Sequence, residues 1–117
     1  MTLFTGVALV TGAASGIGRA TAIAFAVEGC RKIAICDRDA AGLEVTRTFI
    51  KDVDRQVQGE FEVLVLEVDM LKEGDIEKMV NETVGTWGRV DYAVNAAGLF
   101  DLPRVWCGVY THTNQDS

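Results

Sequence analysis

Residues 7–18 read Val-Ala-Leu-Val-Thr-Gly-Ala-Ala-Ser-Gly-Ile-Gly. An apolar run breaks into a turn holding three glycines, and the turn opens an Ala-rich stretch, 20–27, with helical spacing. Strand, glycine turn and helix in that order make a phosphate cradle. A diphosphate needs backbone N–H groups at close range, and a Cβ would block the approach. Gly12 suits the tight turn off the strand, Gly16 the approach of backbone to phosphate, and Gly18 the pressing of helix onto strand. The exposed N–H groups and the helix dipole then favour negative charge. The spacing is Gly-x3-Gly-x-Gly, not the commoner Gly-x-Gly-x-x-Gly. Gly18 is followed by Arg19 and Ala20, so the Gly-Lys-Ser/Thr ending of a nucleoside-triphosphate loop is absent. Taken alone, such a turn is equally well explained by glycines needed for packing, so its meaning depends on its surroundings.

Outward from the cradle, the chain alternates. Gly6 to Val10 is a first strand whose lack of polar alternation predicts burial on both faces. A helix is expected from about Gly16 to Glu28, with Ile17, Ala20, Ala24 and Val27 as its apolar stripe, widened by Ile23 and Phe25. Lys32 to Cys36 is a second strand. Asp39 caps a helix from Ala40 to about Val57, whose stripe is Leu43, Thr46, Ile50, Val53 and Val57. Phe61 to Val68 is a third strand, ended by Asp69. Ile76, Met79, Val80, Thr83, Val84 and Trp87 mark a third helix from about Asp75 to Trp87. Val90 to Ala96 is a fourth strand. Roughly 30 residues separate successive strand starts, the period of β-α-β units. The expected fold class is therefore α/β, with a parallel sheet and right-handed crossovers.

Composition narrows the function. The 117 residues carry a formal charge of -6 and no Lys/Arg run, which speaks against binding nucleic acid or an anionic membrane surface. No apolar run reaches the length of a membrane span. Cys30, Cys36 and Cys107 match neither a zinc pattern nor a redox pair, and His112 stands alone, so no metal site is expected. A reducing, cytoplasmic setting is the simplest fit.

The unusual polar residues fall where strands end. Asp37 ends the second strand 19 residues after Gly18, where an acid can bind ribose hydroxyls. Asp69 ends the third strand and Asn95 the fourth. Each acid alone reads as a helix cap or loop charge. Four such features at one edge of one sheet make a dinucleotide site. With Thr11-Gly12-x-x-x-Gly16-Ile17-Gly18, Asp37, Asp69, Gly88-Arg89-Val90-Asp91 and Asn95-Ala96-Ala97-Gly98, the chain resembles the short-chain dehydrogenase/reductase family from about Thr5 to Gly98. The resemblance implies a Rossmann-like doubly wound parallel sheet, truncated after the fourth strand. It also implies roles. Gly12, Ser15, Gly16, Ile17 and Gly18 would hold the diphosphate, and Asp37 the adenosine ribose. Asp69 and the Met70 amide would meet the adenine. Asn95 would brace the central strands, with Ala96 and Gly98 on the nicotinamide side. The expected cofactor is NAD rather than NADP, because a carboxylate at position 37 repels a 2′-phosphate, although Arg38 beside it pulls the other way.

The chain also departs from the family. Members are about twice as long and carry a catalytic Ser and a Tyr-x-x-x-Lys pair. Here Tyr92 and Tyr110 are followed four residues on by Ala96 and Asn114, and no Lys follows Lys78. No catalytic residue is assigned. Residues 1–98 form the dinucleotide-binding half, and 99–117, with the one proline, are expected to be an irregular tail outside the family pattern. The fourth strand then keeps an open edge that recruits other chains. The leading reading is the cofactor-binding part of an oxidoreductase, inactive in this truncated form. The alternatives are a non-catalytic adenine-nucleotide or regulatory module, or a product without independent function.

Overall fold

The structure is a computed structural model that describes residues 6–57, 59–96 and the backbone of 109–111. The elements run β1 (Val7–Thr11), α1 (Gly16–Val27), β2 (Lys32–Asp37), α2 (Ala40–Val57), β3 (Glu62–Glu67), α3 (Glu73–Trp87), β4 (Tyr92–Asn95) and β5 (Val109–Thr111). The sheet order is β3-β2-β1-β4-β5. The first four strands are mutually parallel, and β5 runs antiparallel to β4.

Side chains alternate across this sheet and build two cores. Ala8, Val10, Ile33 and Ile35 face α1 and α2, where they meet Ala22, Phe25, Leu43 and Ile50. Leu9, Ala34 and Cys36 face the other way, toward Met79 of α3. β1 is buried along its whole length, as its unbroken apolar sequence predicted. Ile33, Ile35, Leu43 and Ile50 are fully buried, and each contributes about 1.5–3 kcal/mol of transfer free energy.

Three expectations need correcting. The stripe assigned to α1 is its outer face: Ile17 is 54% and Val27 61% exposed, and Ala20 and Ala24 are exposed too. The buried face is Gly18, Ala22, Phe25 and Ala26. The helix is apolar nearly all round, so its period lacked the polar contrast that marks a wet side. In α3 the expected stripe is half covered. Met79 and Thr83 are buried, whereas Val80 and Val84 stand 39% and 41% exposed. The parallel sheet ends at the fourth strand as expected, but that strand's outer edge is not open. The edge of β4 expected to be open is paired over Tyr92–Val94 with Thr111–Val109. Val109-Tyr110-Thr111 has strong β propensity, but three residues within a polar stretch carry no readable period.

At the other end of β4, Asp91 clips the sheet together. Its Oδ2 accepts the Val7 N–H at 2.8 Å, and its Oδ1 accepts Arg89 Nε and Nη2 at 2.9 and 2.5 Å. The hydrogen bond to Asp91, then its charge, raises the Arg89 guanidinium above its ordinary value.

Cys30 and Cys36 are buried free thiols. Burial pushes both above the ordinary value of 9.0, and the Asp37 charge adds to the effect at Cys36. In a Cys107→Ser background, neither thiol should react with a thiol reagent at pH 8 until the protein is unfolded, and rapid native-state labelling would contradict this burial. Because the folded values are raised, any linked stability is complete below pH 9.0 and declines above it, as the unfolded thiols ionise first.

Candidate functional site

The sheet reverses its winding at β1: β2 lies on one side and β4 on the other. Ligands of open α/β sheets bind outside the carboxyl ends of the strands at such a switch point. The carboxyl end of β1 is Thr11, and the cradle follows it directly.

Gly12 and Gly16 both take left-handed backbone, with φ of +69° and +58°. A Cβ at Gly16 would meet nothing within 4 Å, so this glycine borders open space. Gly18 is the opposite case. A Cβ there would overlap the carbonyl oxygen of Gly12 and lie 3.0 Å from the Ala13 nitrogen, so the helix presses directly on the turn. Ser15 is the N-cap of α1 in extended conformation and makes no side-chain cap hydrogen bond; no acid occupies the first turn. The first N–H groups of an α-helix have no intrahelical partner. Gly16 at this N-terminus borders open space, and no acid lies in the helix's own first turn, which fits a diphosphate. Ile17, expected in this group, lies exposed in the same first turn.

Asp37 closes β2 beside the cradle. Its Oδ2 accepts the Ala14 N–H at 3.1 Å and its Oδ1 the Asp39 N–H at 3.1 Å. Each carboxylate oxygen keeps a further lone pair for a hydroxyl donor. Arg38 is exposed next to it. Asp39 caps α2 as expected, accepting Gly42 N–H at 3.0 Å. Asp69 lies two residues beyond the end of β3 in a turn. Its Oδ1 accepts Leu71 N–H, and its own N–H donates to Asp75 Oδ2, both at 2.9 Å. That second bond, with Glu73 and Asp75 in the first turn of α3, accounts for a helix that begins two residues before the expected Asp75. Met70 packs partly buried against the α3-side core.

Asn95 stands opposite Thr11 in register, and the Thr11 hydroxyl donates to Asn95 Oδ1 at 2.8 Å. Ala96 N–H donates to Thr11 carbonyl at 3.3 Å. Both therefore sit across the switch point from the cradle. Gly98 lies outside the described residues. The structure thus gathers Gly12, Ser15, Gly16, Ile17, Gly18, Asp37, Asn95 and Ala96 at one edge, with Asp69 and Met70 beyond β3.

Two residues that the sequence reading passed over complete the floor of the site. In the sequence, Arg19 serves only to exclude a triphosphate loop, and Thr46 falls in the apolar stripe of α2. Arg19 Nε donates to Thr46 Oγ1 at 2.9 Å, and Thr46 Oγ1 donates to the Ala13 carbonyl at 2.7 Å. A buried Thr in an otherwise aliphatic stripe was the available signal. Among the described residues, no group of acids, cysteines or histidines is arranged to hold a metal ion, and no helix is long and apolar enough to cross a membrane.

The family model described as short chain dehydrogenase matches residues 6–115. That match runs past Gly98, the expected end of the family-like part. A short-chain dehydrogenase of Penicillium roqueforti is 39% identical over 95 residues, covering 80% of this chain and 33% of the relative. The crystal structure of apo glucose dehydrogenase of Caenorhabditis elegans superposes with a TM-score of 0.70 at 36% identity, over 80% of this chain and 38% of that one. The 3-ketoacyl-(acyl-carrier-protein) reductase of Brucella melitensis, solved with NADH, gives 0.62 at 36% identity, over 75% and 32%. The chain spans about a third of the length of the curated relatives it matches.

Proposed function

The chain belongs to the short-chain dehydrogenase family, and from that membership we propose that it is the NAD-binding portion of an oxidoreductase of this type. The carrying observation is the cradle. Gly16 is left-handed and faces open space at an uncapped helix N-terminus, beside a carboxylate at the end of β2. A bound nicotinamide dinucleotide supplies hydride chemistry. What these residues contribute is binding and orientation. The N–H groups of the α1 N-terminus meet the diphosphate, and Asp37 accepts ribose hydroxyls. Asp69 and Met70 border the adenine, and Asn95 ties β4 to β1 below the nicotinamide side, toward which Ala96 leads.

In the 117-residue polypeptide this binding is not coupled to turnover, because its sequence has no Tyr-x-x-x-Lys pair. The proposed preference is NAD over NADP. Asp37 is already held by two backbone N–H groups, which fix its carboxylate at the strand end. A 2′-phosphate there meets that charge at close range, and Arg38 offsets only part of it. The test is titration with NADH and NADPH followed by nucleotide fluorescence. The unsubstituted protein should bind NADH the tighter. Asp37→Ser should shift the ratio toward NADPH by roughly ten-fold or more, the scale of one charge-assisted hydrogen bond. An unchanged ratio would remove Asp37 from the ribose site, and failure to bind either nucleotide would overturn the function.

A further inference from the structure

We infer that Arg19 and Thr46 are positioning residues that set the direction of the peptide groups in the diphosphate cradle; the inference rests on the dinucleotide reading above. Arg19 lies in the first turns of α1, partly buried, with its guanidinium 5.9 Å from the centre of the Phe49 ring. From there it reaches three acceptors on two elements. Nε donates to Thr46 Oγ1 at 2.9 Å, while Nη2 donates to the Ala14 carbonyl and, at 3.2 Å, to the Gly42 carbonyl of α2. Thr46, fully buried, donates its hydroxyl hydrogen bond to the Ala13 carbonyl at 2.7 Å. Two consecutive carbonyls of the cradle are therefore drawn toward α2.

In a trans peptide the C=O and the following N–H point in opposite directions. Drawing the Ala13 carbonyl inward turns the Ala14 N–H outward, and that group meets Asp37 Oδ2 at 3.1 Å. Drawing the Ala14 carbonyl inward turns the Ser15 N–H outward as well. That group donates to no protein acceptor among the described residues. One side-chain pair thus orients both a donor aimed at the diphosphate and the acid aimed at the ribose. Both residues act from beneath the loop, through its carbonyls. A lysine at 19 would keep the charge but not the fork that holds three acceptors at once.

The test compares the unsubstituted chain with Arg19→Lys and Arg19→Met, using ADP, adenosine and free protein. In the free protein, amide resonances of Ser15 and Gly16 should move in both variants, as the Ala14–Ser15 peptide loses its anchor. ADP affinity should fall roughly ten-fold or more, the loss expected when a hydrogen bond to a charged group is misaligned. Adenosine, which has no diphosphate, should bind as before. Should Arg19→Met fail to fold, Arg19→Lys carries the comparison. Unmoved resonances, or an Arg19→Lys protein that binds ADP at the original affinity, would overturn the inference. Equal losses for ADP and adenosine would reduce Arg19 to a general stabiliser and overturn it too. An unsubstituted protein that binds no ADP would instead overturn the dinucleotide reading on which it rests.

Discussion

Gly18→Val is expected to unfold this protein or to lower its urea midpoint sharply. The reason is local and steric. A Cβ at position 18 would overlap the Gly12 carbonyl oxygen and crowd the Ala13 nitrogen, both backbone atoms of the turn it presses on. The Ala13 N–H is itself tied to the Cys36 carbonyl at 3.1 Å, so the turn cannot yield without loosening β2. Overpacking a tight site costs about 1–3 kcal/mol and sometimes more, and Val adds two methyls to the same contact. Gly85 is the internal control. It lies within α3, and a Cβ there meets nothing within 4 Å. Gly85→Ala should therefore raise stability by up to about 1 kcal/mol through helix propensity. The two changes should move the midpoint in opposite directions. A Gly18→Val protein as stable as the original would mean that close approach is not what requires glycine at 18.

The 117-residue chain is expected to bind NADH without oxidising or reducing anything. Loss of a positioned general acid costs roughly 100- to 10,000-fold in rate. Hydride transfer also needs surfaces that orient cofactor and substrate into an effectively unimolecular step. Of the two tyrosines, Tyr92 is placed where it cannot substitute. It pairs with Ala8 at the amino end of β4, and its ring lies 5.8 Å from that of Phe25 within the α1-side core. The cradle is at the other end of the strands. The check is an NADH-absorbance assay over a broad panel of carbonyls and alcohols, run beside a nucleotide-binding titration on the same preparation. Turnover by protein freed of host dehydrogenases would refute the expectation.

Much of this was legible because it is local. The glycine turn needs only 12 residues to be read: Gly12 takes the left-handed turn and Gly18 the close approach that their spacing suggests, and Gly16 borders open space. Asp37 and Asn95 fall at strand ends because apolar runs stop there. Asp39 caps α2 because a short acceptor precedes a helical period. Each is a contrast between neighbours in sequence, and strand and helix periods report such contrasts directly.

What the chain order could not show was partnership. Which face of α1 is buried depends on its contact with the sheet and α2. Ile17 and Val27 are as apolar as Phe25, so hydrophobicity alone could not separate inside from outside. The Asp91–Val7 clip, the Arg19–Thr46–Ala13 relay and the β4–β5 pairing join residues that the sequence leaves far apart. Sequence by itself determined the order of the elements from β1 to β4 and which polar residues stand at the strand ends, because those follow from backbone conformation and local polarity. Tertiary structure alone decided the helix faces, the fifth strand and the hydrogen bonds beneath the cradle, because a donor and its acceptor must be brought together by the fold before either has a direction.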